Sequence, residues 1–195
     1  MTSDTTPIAS IEQRLDAIQT VLQRQGMQPA EFINTFDELA HEHWVPANGA
    51  GLVARAWTDP TFKQLLLTDG MAAISEAGLS MPVHHRHFVV LENTVDIHNV
   101  ICCTLCSCTA FTIIGLPPDW YKELAYRSCV VREARTVLRE MGLDLPSHTQ
   151  IRVWDTTADT RYMVMPQRPA GTDGLSVDQL TALISKDALI GVALI

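Results

Sequence analysis

Val100-Ile101-Cys102-Cys103-Thr104-Leu105-Cys106-Ser107-Cys108 is the stretch on which the reading of this chain turns. A short apolar run feeds directly into a loop, and four of the five cysteines fall between Cys102 and Cys108. Cys103, Cys106 and Cys108 put three thiols inside a six-residue segment, so one loop can fold around one ion with soft sulfur ligands. Such crowding is poor geometry for mutual disulfides, and an odd cysteine count argues against a stapled framework. A structural zinc site would recruit further Cys or His ligands from a distant hairpin, and no later Cys-x-x-Cys or His-x-x-x-His follows. The Cys106-Ser107-Cys108 step brings the amide nitrogens of Ser107 and Cys108 close to any ion that both sulfurs bind. Deprotonated amides together with thiolates make a strong ligand field, which suits low-spin trivalent cobalt or iron better than filled-shell zinc.

Upstream of the loop the texture is helical. Ile11, Leu15, Ile18 and Leu22 recur at spacings of three and four, a single stripe that Gly26 ends. Further helices are predicted from Pro29 through Phe32, Phe36 and Leu39, over Gly49–Trp57, and over Pro60–Ala77. These stripes need a partner surface, because a thin helical arm cannot bury its own apolar side. Past Gly78, Phe88–Leu91 reads as a strand, Asn93-Thr94 as a turn and Val100–Cys102 as a second apolar run. Phe111–Ile114 is apolar and β-branched, and Gly115-Leu116-Pro117-Pro118 closes it. A helix from Trp120 or Arg127 to Met141 follows, then strands at Ile151–Trp154 and Arg161–Met165. A helix capped by Ser176 runs through Ile184, and Leu189–Ile195 suits a terminal strand.

At 195 residues the chain fits one domain, with or without an appendage. A net charge of -8 and a pI near 5.2 give nucleic acid and anionic membranes nothing to attract, so neither is an expected partner. Met1-Thr2-Ser3-Asp4 lacks the basic start of a leader, and no apolar run reaches the roughly 18 residues of a spanning helix. The expectation is a soluble cytoplasmic protein.

Several motifs in one order resemble the alpha subunit of nitrile hydratase, a family that includes the metal-bearing subunit of thiocyanate hydrolase. They are Asn48-Gly49-Ala50 through Trp57 with Asp59-Pro60, Glu92-Asn93-Thr94 with His98-Asn99-Val100, the cysteine loop, and Gly115–Pro118 with Trp120-Tyr121-Lys122. Tyr126-Arg127, Ile151–Asp155, Arg168–Thr172 and Ile190-Gly191-Val192 continue the series. The resemblance implies an α+β fold: a partner-gripping helical arm over residues 1–80, then a layered α/β/β/α metal-binding domain over 81–195. It implies Cys103, Cys106, Ser107 and Cys108 as metal ligands, with the amides of Ser107 and Cys108 included and Cys106, Ser107 and Cys108 forming the catalytic segment. Cys106 would become the sulfinate and Cys108 the sulfenate, following the oxidation ladder of accessible thiolates. Thr104 resembles the cobalt type, making Co3+ the expected ion and Fe3+ the alternative. The implied reaction hydrates a small nitrile to its amide. The implied partners are a beta subunit, in a heterodimer or heterotetramer, and a metal-delivery activator protein.

Two departures from the family pattern bear on the substrate pocket: Thr109-Ala110-Phe111 after the loop, and the basic run His84-His85-Arg86-His87. That run is expected to be a solvated surface patch, since adjacent residues of an extended segment face opposite ways. Cys102 and Cys129 are expected to pack as small apolar residues. Trp120 and Tyr121 read as core or interface aromatics, while Asp155 and Arg161 read as a shell orienting the loop or as a salt bridge. The competing functions are thiocyanate hydrolysis at the same cluster and a non-catalytic metal carrier or redox sensor, which would release its metal readily to a chelator.

Overall fold

Ser10 starts the first helix by accepting from the Gln13 amide at 3.2 Å, while the Gln13 side chain accepts from the Ser10 amide at 3.0 Å. In this computed structural model, residues 9–195 are described; Met1–Ile8, including the segment read for a leader, lie outside the described residues. The chain divides into two compact units, Met1–Glu42 and His43–Ile195.

The first unit consists of α1 (Ile11–Arg24), α2 (Pro29–Glu38) and the start of a short π-helical turn at Leu39–His43. Neither helix has a buried residue. The predicted stripe exists as a stripe, yet Ile11, Leu15 and Ile18 stay 57–72% exposed and Leu22 is half-buried.

The second unit begins with α3 (Pro46–Thr58), α4 (Pro60–Thr68) and α5 (Gly70–Glu76). These three helices fall within residues 1–80, and their Ala50, Val53, Phe62, Leu66 and Ile74 are core residues of the second unit. The single helix predicted over Pro60–Ala77 is two: Asp69 ends α4 and its side chain accepts from the Ala72 amide at 3.0 Å, capping α5.

Strands β1 (His87–Glu92), β2 (Ile97–Cys102), β3 (Gln150–Asp155) and β4 (Thr160–Met165) form two parallel pairs, β1 with β4 and β2 with β3. Parallel neighbours need long crossovers, and α6 (Phe111–Ile114), α7 (Asp119–Lys122) and α8 (Leu124–Glu140) supply the one between β2 and β3. Phe111–Ile114, whose composition suits a strand, is thus a single helical turn, ended by Gly115 at φ 80°. A buried polar network supports the strands. Asn93 Oδ1 accepts from the Asn99 amide at 2.8 Å, and Asn99 Oδ1 accepts from Trp154 Nε1 at 2.9 Å.

After α9 (Val177–Leu183) the expected terminal strand is instead the short helix α10 (Lys186–Ile190). Ser185 caps it by accepting from the Ala188 amide at 3.2 Å. Gly191 then turns the chain at φ 93°, with its Cα so close to β2 that an added Cβ would lie 2.0 Å from the Asn99 carbonyl oxygen. Local capping therefore overrode the β-branched composition. The result is a mixed helix-and-strand α+β unit with its core between the strands and the flanking helices.

Candidate metal centre

The cysteine loop leaves the carboxyl end of β2, where the parallel register sets Cys102 opposite Asp155. Crevices at the carboxyl ends of parallel strands are recurrent ligand sites, because loops from adjacent strands converge there. Asp155 holds the start of the loop, accepting from the Thr104 amide at 2.9 Å and from the Thr104 hydroxyl at 2.5 Å. On the other side Arg127 Nη1 donates to the Thr104 carbonyl at 3.4 Å. The far end is held by its carbonyl: Cys108 O accepts from the Tyr121 hydroxyl at 3.2 Å and from Thr156 Oγ1 at 3.4 Å. Tyr126 donates to the Ile101 carbonyl at 2.8 Å, tying α8 to the last turn of β2.

Held at both ends, the loop turns its thiols onto one point. The sulfurs of Cys103, Cys106 and Cys108 all lie within 4.8 Å of one another. Cys106 Sγ stands 3.3 Å from Cys103 Sγ and 2.9 Å from Cys108 Sγ. The Cys106 amide donates to Cys103 Sγ at 3.3 Å, and the Cys108 amide also points at that sulfur. Cys103 is buried, Cys108 and Ser107 are half-buried and Cys106 is exposed, so the claw opens on the Cys106 side. This convergence of soft donors suits a metal of thiolate preference. It is the one such cluster among the described residues.

The electrostatics are asymmetric within the claw. Burial pushes the Cys103 thiol up, but hydrogen bonds from Thr156 and from the amides of Cys108 and Cys106 prevail and bring it down to about 7. Burial pushes Cys108 up to about 12, the neighbouring Cys106 thiol adds to this, and the Arg161 guanidinium opposes it. Cys102, fully buried and pushed up to about 12 by burial, behaves as a core residue.

His84, Arg86 and His87 are solvated as expected, but His85 is not: it is 3% exposed. Its ring meets Phe111 edge-on at 5.7 Å, and Phe111 in turn meets Trp44 at 4.8 Å. Burial, with Arg161 and His84 adding, drives its pKa down to about 4, so the ring is neutral at ordinary pH. A lone inward-facing position in a polar run carries no periodic signal. Thr156 was equally invisible, since only the β2–β3 register brings it to the claw. Tyr121, by contrast, is the buried aromatic it was read to be.

An α+β unit with a three-sulfur claw at the carboxyl ends of its parallel strands is a metalloprotein of a narrow class. A family model for the nitrile hydratase alpha chain matches residues 9–193. The cobalt-containing low-molecular weight nitrile hydratase subunit alpha of Rhodococcus rhodochrous is 44% identical, over 94% of this chain and 88% of that one. Thiocyanate hydrolase subunit gamma of Thiobacillus thioparus is 40% identical, over 91% and 76%. Among solved structures, a double mutant of the Fe-type nitrile hydratase of Comamonas testosteroni Ni1 superposes with a TM-score of 0.89 at 57% identity, covering 97% and 92%. The chain belongs to the nitrile hydratase alpha chain family, an enzyme subunit of the lyase class.

Proposed function

We propose that this chain is the metal-bearing catalytic subunit of a hydratase that adds water across a nitrile to give the amide. The convergence of three cysteine sulfurs within 4.8 Å carries the reading. Cys103, Cys106 and Cys108 would bind through sulfur, and Ser107 and Cys108 through their amide nitrogens. A trivalent ion there supplies Lewis acidity toward nitrile or water. Cys106, the exposed sulfur, is the one to become the sulfinate, and Cys108 the sulfenate. The oxygen that Cys108 would carry serves as base or nucleophile toward the substrate; Tyr121 and Thr156 hold the Cys108 carbonyl, and Asp155 holds the start of the loop at Thr104.

Thr104 favours cobalt, and the 57% identity to the Fe-type Comamonas chain favours iron. A beta subunit would complete the enzyme, and the exposed apolar residues of α1, with Phe32 and Ile33 of α2, are the surface proposed to grip it. A metal-delivery activator would load the claw. No helix among the described residues is long and apolar enough to cross a membrane, in keeping with a cytoplasmic enzyme.

The test is co-expression with a beta subunit, elemental analysis, and peptide mass across Cys102–Cys108. Near-stoichiometric cobalt or iron with added oxygens on Cys106 and Cys108, and turnover of a nitrile, are expected. Turnover of thiocyanate alone would move the assignment to a thiocyanate hydrolase, the reading that the Thiobacillus relative supports. Zinc with unmodified thiols would leave a carrier or redox sensor.

A further inference from the structure

Asn48, in the first turn of α3, has both hydrogens of its side-chain amide in use. Its Nδ2 donates to the His43 carbonyl at 2.7 Å and to the Thr112 carbonyl, 64 residues further on, at 3.1 Å. Each acceptor is a carbonyl at the end of a short helical turn. His43 closes the π-helical turn Leu39–His43, and Thr112 lies in α6, which Gly115 ends at φ 80° before another backbone amide can close on it. A carbonyl left unpaired inside the protein is costly, so the Asn48 amide is a directional fastening between the two turns. Packing along the same seam is close. A Cβ added at Gly49 would lie 3.1 Å from the Ile113 carbonyl oxygen, and one added at Gly115 would lie 3.1 Å from Pro46 Cδ. Trp44, just ahead of α3, meets the Phe111 ring at 4.8 Å.

The α6 turn is in its own right fastened to the claw. The Ala110 carbonyl accepts from the amides of Ile113 at 2.8 Å and Ile114 at 2.9 Å, and one residue, the buried Thr109, separates Ala110 from Cys108. Tyr121 and Thr156 hold the Cys108 carbonyl; the direction in which the chain leaves it is set by where α6 sits. We infer that Asn48 is a positioning residue of the metal centre: it pins α6 to the base of α3 and, through Ala110 and Thr109, fixes the downstream end of the claw. Its effect on turnover rests on the hydratase reading above, while the pin itself is a property of the metal-free chain.

The test compares wild type with Asn48→Asp, which keeps the side-chain shape and removes both hydrogens, and Asn48→Gln, which keeps the amide on a longer stem. In the metal-free full chain, the amides of Ile113, Ile114 and Gly115 are expected to exchange hydrogen roughly 5- to 10-fold faster in Asn48→Asp, with the amides of β2 and β3 unchanged. In the metal-loaded complex with the beta subunit, the sulfur-to-metal absorption band is expected to shift, and kcat to fall roughly 10-fold with a smaller change in KM. Asn48→Gln is expected to recover part of each change. Unchanged exchange in α6, or faster exchange spread evenly over the second unit, would overturn the assignment, and so would an unmoved band beside faster exchange in α6. If Asn48→Asp does not fold, Asn48→Ala replaces it under the same criteria, because alanine suits a helix. Wild type lacking both metal and nitrile turnover would defeat the hydratase reading instead; faster exchange confined to α6 then sustains the pin, and its absence sinks it.

Discussion

Helix α1 and helix α8 both carry apolar residues at helical spacing, and they end in opposite circumstances. In α8, Val130 and Leu138 are fully buried and Tyr126 reaches the strand that feeds the claw. In α1 nothing is buried, although Leu15 and Ile18 stand in as regular a stripe. Amphipathic periodicity thus announces that a face will be covered without saying by what. For α8 the cover is this chain's own core, whereas α1 has no buried residue.

The same substitution at the two places separates them most sharply. Leu138→Ala should destabilise the chain by about 4 kcal/mol in urea unfolding, as expected for a large core side chain replaced by a void. A loss under about 1 kcal/mol there would mean that the core is far looser than its burial indicates.

The next effect is one of pH. His85 is buried neutral with its pKa lowered to about 4, so between pH 6.5 and 4 the unfolded chain binds the proton that the folded chain refuses. Stability present above pH 6.5 is therefore lost as pH falls, by about 3 kcal/mol across that window from this group. His85→Gln should flatten that part of the curve relative to wild type; parallel curves would show that the ring is solvated in solution.

A smaller effect concerns the clamp on the loop. Asp155→Asn keeps the shape but weakens acceptance from the Thr104 amide and hydroxyl, and metal affinity measured by chelator competition should drop about tenfold. Unchanged affinity would assign loop geometry to the Tyr121 and Thr156 contacts alone. The smallest expected change is in the arm: Leu15→Ala should shift the stability of the isolated chain by less than about 0.5 kcal/mol while weakening capture of the beta subunit. Unfolding of the isolated chain by that substitution would end the contrast between the two helices.

How legible these features were depended on the range of the interactions that make them. The capped start of α1 at Ser10, the proline-led starts of α2 and α4 and the strands around Phe88–Leu91 and Arg161–Met165 follow from neighbours within a few residues. The misread segments are those where composition and capping disagree. Phe111–Ile114 and Leu189–Ile195 look extended by residue type, but a glycine at positive φ and, for the second, the Ser185 cap close short helices there. The split between α4 and α5 hides inside a continuous apolar pattern, since Asp69 serves as the end of one helix and the cap of the next.

From the sequence by itself came the clustering of Cys103, Cys106 and Cys108, because ligands within six residues share a loop whatever the fold around them. It also determined the amphipathic arm and most of the order of helices and strands, where local periodicity and caps agree. Only the tertiary structure decided that Asp155 clamps the loop rather than forming a salt bridge, that Thr156 reaches the Cys108 carbonyl nearly fifty residues earlier, and that His85 turns inward while its neighbours face water. Parallel strand register and burial are properties of segments brought together from distant parts of the chain. Their cost in chain entropy is recovered only when the whole core forms, so no local pattern encodes them.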